Sequence, residues 1–112
     1  MRSGDVVGVD FGTPIGSEAG FVRPAVVITA DAFLRFRPTV VFVAPLTTTQ
    51  RSFPSHIEIE ADDRNGLALT SFAQVEQLRS VAIERCDPSG GNVGPTATVQ
   101  ILDVLAMITG MP

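Results

Sequence analysis

The chain has 112 residues, the size of one small domain, with 45% hydrophobic residues, 12 acidic and 8 basic side chains and a formal charge of −4. Together with a mean hydropathy of +0.29, this excludes general disorder. All eight basic residues are arginines, which excludes a lysine Schiff base and a Walker-type phosphate lysine; with one histidine and one cysteine, neither an intrachain disulfide nor a His/Cys metal cluster can be built.

No apolar run approaches the roughly 20 residues of a membrane span. Met1-Arg2-Ser3-Gly4-Asp5 leads into no apolar leader segment, and a single thiol fits a reducing compartment. The expectation is a cytoplasmic protein that uses no membrane.

In chain order, Val7, Val9 and Phe11 alternate at strand period until Gly12-Thr13-Pro14 ends the run. Ile15 to Val22 is interrupted by glycine and reads as a mobile loop. Ala25 to Thr29 and Thr39 to Ala44 are near-continuous β-branched runs, the pattern of strands buried on both faces. Between them Asp31 is placed to cap a helical turn over Ala32 to Phe36, stopped by Pro38.

His56-Ile57-Glu58-Ile59-Glu60 alternates strictly, with the isoleucines on one face and His56 beside both glutamates on the other, the position of a solvated residue. Asp62 to Gly66 is turn chemistry, Leu67 to Leu78 supplies further strand, and Gly90 to Gly94 reads as a loop. Gly94-Pro95 opens a helix that Gly110 and Pro112 close. Within it Gln100 and Asp103 form a narrow polar stripe between apolar residues, so the helix is expected to be covered on more than one side. A small barrel covers one side; a second copy of the chain, in a homodimer, is the more economical cover for the other, the alternative being a helix tucked entirely into its own barrel. Short strands with Gly, Pro and Asn turns predict a mainly β fold with short helices, a small barrel plus a C-terminal helix, as one domain over residues 1–112.

Few residues suggest chemistry. Cys86 reads as a buried or incidental thiol, because a nucleophile needs a positioned base. Asp62 and Asp63 lack the ligand count that calcium or magnesium requires. Arg23 stands between the loop and a buried strand, with Pro24 extending the backbone, and its planar fork matches phosphate oxygens bidentately. Thr47, Thr48 and Thr49 end a strand where hydroxyls emerge at a sheet rim. From composition and spacing alone, a residue such as Arg23 is more often a surface ion-pair residue and such threonines more often a turn.

The order Gly16-Ser17-Glu18, Arg23-Pro24-Ala25-Val26-Val27, Ala44-Pro45-Leu46-Thr47 and Glu76-Gln77-Leu78-Arg79-Ser80-Val81 resembles the MazF/PemK (Kid-like) toxins of bacterial toxin–antitoxin systems over essentially the whole chain. The resemblance implies an SH3-like barrel of the CcdB/PemK type and a homodimer. It implies a metal-independent endoribonuclease that attacks the scissile phosphate of single-stranded RNA with the adjacent 2′-hydroxyl, leaving a 2′,3′-cyclic phosphate and a 5′-hydroxyl. By position, Arg23 and Thr47 match the catalytic arginine and Ser/Thr, and Glu76 an acidic position proposed as base in some members. Ser17, Glu18, Thr48, Gln77 and Arg79 match positions near the substrate, with no metal and no cofactor required. Residues 12–22 then correspond to a lid over the RNA path, and the implied partner is a cognate antitoxin with an acidic, partly disordered tail. The alternative in another class is a gyrase-binding toxin of the CcdB kind; that type relies on a C-terminal tryptophan, and this chain has none. Net charge −4 averages over the surface, and phosphate binding needs only a local positive groove, which Arg23, Arg79 and Arg51 are placed to supply.

Overall fold

Side chains alternate across the three central strands so that both faces are buried over part of their length, while Val22 at the start of the second and Val40 and Phe42 in the third are exposed. In a computed structural model that describes residues 1–110, these strands are β1 (Asp5–Asp10), β2 (Val22–Val27) and β3 (Val40–Thr47). Val6, Val26, Ala44 and Leu46 point to one side and pack with Ile101 of the C-terminal helix, whereas Val7, Val9, Ala25, Val27, Val41 and Val43 point to the other and pack with Val81. The β-branched runs are near-continuous for this reason: a strand covered on both sides has no polar face.

The remaining strands are β4 (His56–Ile59), β5 (Ser71–Gln74), β6 (Arg79–Ala82) and β7 (Cys86–Asn92). All pair antiparallel in the order β4-β5-β3-β2-β1-β7. The long strand β3 is shared: Val40–Val43 pair with β6, while Leu46 and Thr47 pair with β5. Consequently β5 and β6, joined by a 3-10 turn over Val75–Gln77, bring that turn to the end of β3. This mainly β sheet with a C-terminal helix, α2 (Gly94–Ile108), is the architecture the sequence predicts. Among the described residues no helix is long and apolar enough to cross a membrane.

Four local expectations are corrected. The short helix α1 spans Asp31–Leu34, with Ala30 rather than Asp31 at its N-cap; the Asp31 carboxylate instead accepts the backbone N–H of Ser3 at 2.8 Å. The stretch Leu67 to Leu78 is strand only over Ser71–Gln74. Residues Gly90 to Asn92, expected in a loop, belong to β7 (CDPSGGN), a sequence of poor strand propensity that β1 holds by pairing Asp5 with Asn92 and Val6 with Gly91. Glycine is required there: a Cβ on Gly91 would collide with the backbone of Asn65. Finally, His56 is not solvated, as described below.

In α2, Pro95 occupies the first turn and Ile101 is fully buried, while Val99, Leu102, Met107 and Ile108 are exposed. The stop expected at Pro112 lies outside the described residues.

Candidate active site

Two adjoining pockets of about 410 and 390 Å³ lie where the loop between β1 and β2 meets the 3-10 turn, and they share Glu18, Ala19, Glu76 and Gln77. The loop is closed at its base, where Phe21 N–H donates to Gly12 O at 2.7 Å and Phe11 N–H to Phe21 O at 2.9 Å. At its tip the Glu18 carboxylate accepts Ile15 N–H at 2.9 Å. Pro14 packs against Gly20, where a Cβ would meet the proline ring.

Gln77 ties this loop to the body. Its Oε1 accepts Ala19 N–H at 3.1 Å and its Nε2–H donates to Ser17 O at 2.8 Å. The segment expected to be mobile is therefore fastened through a residue some 60 positions away in the chain. Ser17 and Glu18 are exposed at the tip, on the wall of the larger pocket.

Arg23 lies in the same pocket, half-buried. Its Nε–H donates to Gly20 O at 3.0 Å and one Nη–H makes a long bond of 3.4 Å to Oε1 of the buried Gln74. These contacts aim the guanidinium while leaving most of its five donors for a ligand. Arg51 and Phe53 also line this pocket. Glu76 lines it too; its Oε1 accepts Ser55 Oγ–H at 3.0 Å and its Oε2 accepts His56 Nε2–H at 2.9 Å. The His56 side chain is 2% exposed and the Phe53 ring meets it edge-on at 5.1 Å. Strand alternation assigned His56 to the polar face correctly, but that face is roofed by Phe53 and the 3-10 turn.

The other expected residues are placed less centrally. Arg79 belongs to the smaller pocket, its guanidinium 5.6 Å above the Phe11 ring. Thr47 ends β3; extending the β2–β3 register from the Ala25–Pro45 pair by two residues sets it opposite Arg23. Its Oγ1 accepts Thr49 N–H at 3.2 Å, and neither Thr47 nor the exposed Thr48 lines either pocket. Cys86 lies away from the site, on β7 opposite Val9, and burial followed by the neighbouring Asp87 charge pushes its thiol pKa above the ordinary 9.0. Sequence reasoning missed Gln74, Ser55 and His56, which meet through the pairing of β4 with β5; the alternation at residues 56–60 was a signal for the strand but none for its neighbour.

The profile of the PemK-like, MazF-like toxins of type II toxin–antitoxin systems matches residues 2–109. The chain belongs to this family. It is 37% identical to Endoribonuclease EndoA of Bacillus subtilis (strain 168) over 86 residues, 76% of this chain and 73% of that protein. It is 33% identical over 112 residues to Endoribonuclease MazF9 of Mycobacterium tuberculosis, covering 96% and 94% of the two chains. Among solved structures, MazF from Deinococcus radiodurans superposes with a TM-score of 0.79 at 19% identity over 99% of this chain and 97% of that one. An endoribonuclease in complex with its cognate antitoxin from a mycobacterial species gives 0.78 at 21% identity, over 100% and 97%. The fold is thus that of the MazF toxins, and the names of the relatives favour the nuclease over the gyrase-binding alternative.

Proposed function

We propose that this chain is the toxin of a type II pair, a metal-independent endoribonuclease that cuts single-stranded RNA by 2′-hydroxyl attack. The observation that carries this reading is the pocket lined by both Arg23 and Glu76, the Glu76 carboxylate being held on both oxygens. Attack by a neighbouring hydroxyl needs a group to take its proton, a cation for the charge that gathers on the phosphate, and a proton for the 5′-oxygen that departs, which solvent in the open pocket supplies. Glu76 is the acceptor, since a guanidinium has no lone pair to offer. Arg23 braces the phosphate through two parallel N–H bonds and Thr47, opposite it in register, hydrogen-bonds a non-bridging oxygen. Ser17, Glu18, Gln77 and Arg79, on the walls of the two pockets, and Thr48 outside them contact the flanking nucleotides. Stacking of bases falls to phenylalanine and arginine planes, because the chain has no Trp or Tyr.

Residues 1–112 act as one toxin domain in the cytoplasm, as a homodimer joined through the exposed apolar face of α2. A cognate antitoxin neutralises it with an acidic segment that folds across the same arginines. The relatives' names and the pocket chemistry support this reading. Purified protein is expected to cut single-stranded RNA in EDTA and Arg23→Ala to lose that activity. A requirement for a divalent ion, or undiminished cutting by Arg23→Ala, would refute it.

A further inference from the structure

We infer that His56 is a positioning residue for Glu76, its Nε2–H fixing the carboxylate in the one orientation from which it takes the substrate proton. The inference rests on the reading of Glu76 as proton acceptor and adds a residue to it.

A carboxylate only accepts hydrogen bonds, so the imidazole nitrogen 2.9 Å from Glu76 Oε2 is the one bearing hydrogen. The other ring nitrogen, Nδ1, is buried with no hydrogen-bond partner among the described residues. A histidine acting as the base itself would need a nitrogen within reach of the substrate; here one is occupied by Glu76 and the other is sealed. The ring is also closed in, with its side chain 2% exposed and Phe53 edge-on against it. Burying a polar ring with one atom unsatisfied is unfavourable, and the contact it secures is the one to Glu76.

The Glu76 side chain is 32% exposed, and nothing in a 3-10 turn holds so long a side chain in one rotamer. Ser55 on Oε1 and His56 on Oε2 together fix the plane of the carboxylate. Each oxygen keeps a second lone pair for a substrate hydroxyl. The same strand pair sets the arginine: β4 places His56 opposite Gln74, whose Oε1 receives the Arg23 bond. One edge of β4 and β5 therefore aims both the acceptor and the cation.

The test measures kcat and KM for RNA cleavage by the full chain with His56→Leu, His56→Gln and Glu76→Gln, each checked by thermal melting. Leucine fills most of the ring's space without a donor, and glutamine returns an N–H near the position of Nε2. His56→Leu should lose about 10- to 100-fold in kcat with KM within about twofold, the scale of a misplaced reacting group, and His56→Gln should recover most of it. Wild-type kcat in His56→Leu, or equal losses in both variants that follow their melting temperatures, would overturn the role. Should His56→Leu not fold, His56→Asn replaces it: its amide stops short of Glu76, so activity equal to that of His56→Gln would overturn the role as well. Full activity in Glu76→Gln would sink the base assignment itself. Loss in Glu76→Gln with full activity in His56→Leu would sink only the positioning role.

Discussion

Replacing Gln77 with alanine removes the two hydrogen bonds that fasten the β1–β2 loop, to Ala19 N–H at 3.1 Å and to Ser17 O at 2.8 Å. Each such bond contributes about 0.5–1.5 kcal/mol net, so the loop loses about 1–3 kcal/mol of local stability. At about 1.4 kcal/mol per factor of ten, the open population rises roughly 5- to 150-fold. Amide hydrogen exchange reads this directly. In Gln77→Ala the amides of Ala19 and of Glu18, which donates to Ile15 O within the loop, should exchange faster by that factor. Phe21, bonded to Gly12 at the loop base, should change less, and the core amide of Val26 not at all. Gln77→Glu keeps an acceptor for Ala19 and loses the donor to Ser17, so it should fall between. Unchanged protection at Glu18 and Ala19 in the alanine variant would refute the claim that Gln77 holds the loop.

The two sides of α2 should respond differently to substitution. Ile101→Ala, at a fully buried position, should cost about 2–5 kcal/mol by chemical denaturation. Leu102→Glu, on the exposed apolar face, should leave the fold intact and convert a dimer to a monomer by light scattering; a dimer that survives it places the interface elsewhere. Cys86 carries a thiol whose pKa is raised by burial first and the Asp87 charge second. A raised thiol pKa favours the neutral form in the folded state, so its stabilising share is complete below the unfolded thiol's pKa and lost as pH rises through the folded value. Alkylation of the native protein by iodoacetamide near pH 8 should therefore be slower than that of a free cysteine, and Asp87→Asn should speed it. An unretarded rate would contradict the burial of the thiol.

The central strands were legible where burial on both faces writes itself into composition, as in Val26-Val27-Ile28; the run at Val40 to Ala44 reads the same way, although Val40 and Phe42 are exposed. The helix α2 was legible from Pro95 and its apolar length. What escaped detection depended on pairing between distant segments. Cys86–Asn92 has little strand propensity of its own and is a strand because β1 offers it a ladder and Asn65 admits only glycine at position 91. His56 alternates with Ile57 as a surface residue would, yet its face is covered by Phe53 and the turn at Val75–Gln77. For the site, Arg23 stood out by its place before a buried strand, whereas Glu76 and Gln77 emerged through the family resemblance, since nothing local tells a carboxylate in a 3-10 turn from any other surface acid. Gln77 was expected near the substrate and is found fastening the loop that lines the pocket of Arg23 and Glu76.

The proposed RNA cleavage proceeds by 2′-hydroxyl attack at the pocket of Arg23 and Glu76. Its most direct test is the chemistry of the ends produced when the purified protein cuts a single-stranded RNA in EDTA, with Arg23→Ala run in parallel. The account predicts 5′-hydroxyl ends that a polynucleotide kinase labels without prior dephosphorylation, 2′,3′-cyclic phosphates on the upstream fragments, and no cutting by the variant. Fragments bearing 5′-phosphates, or the same ends from Arg23→Ala, would contradict it.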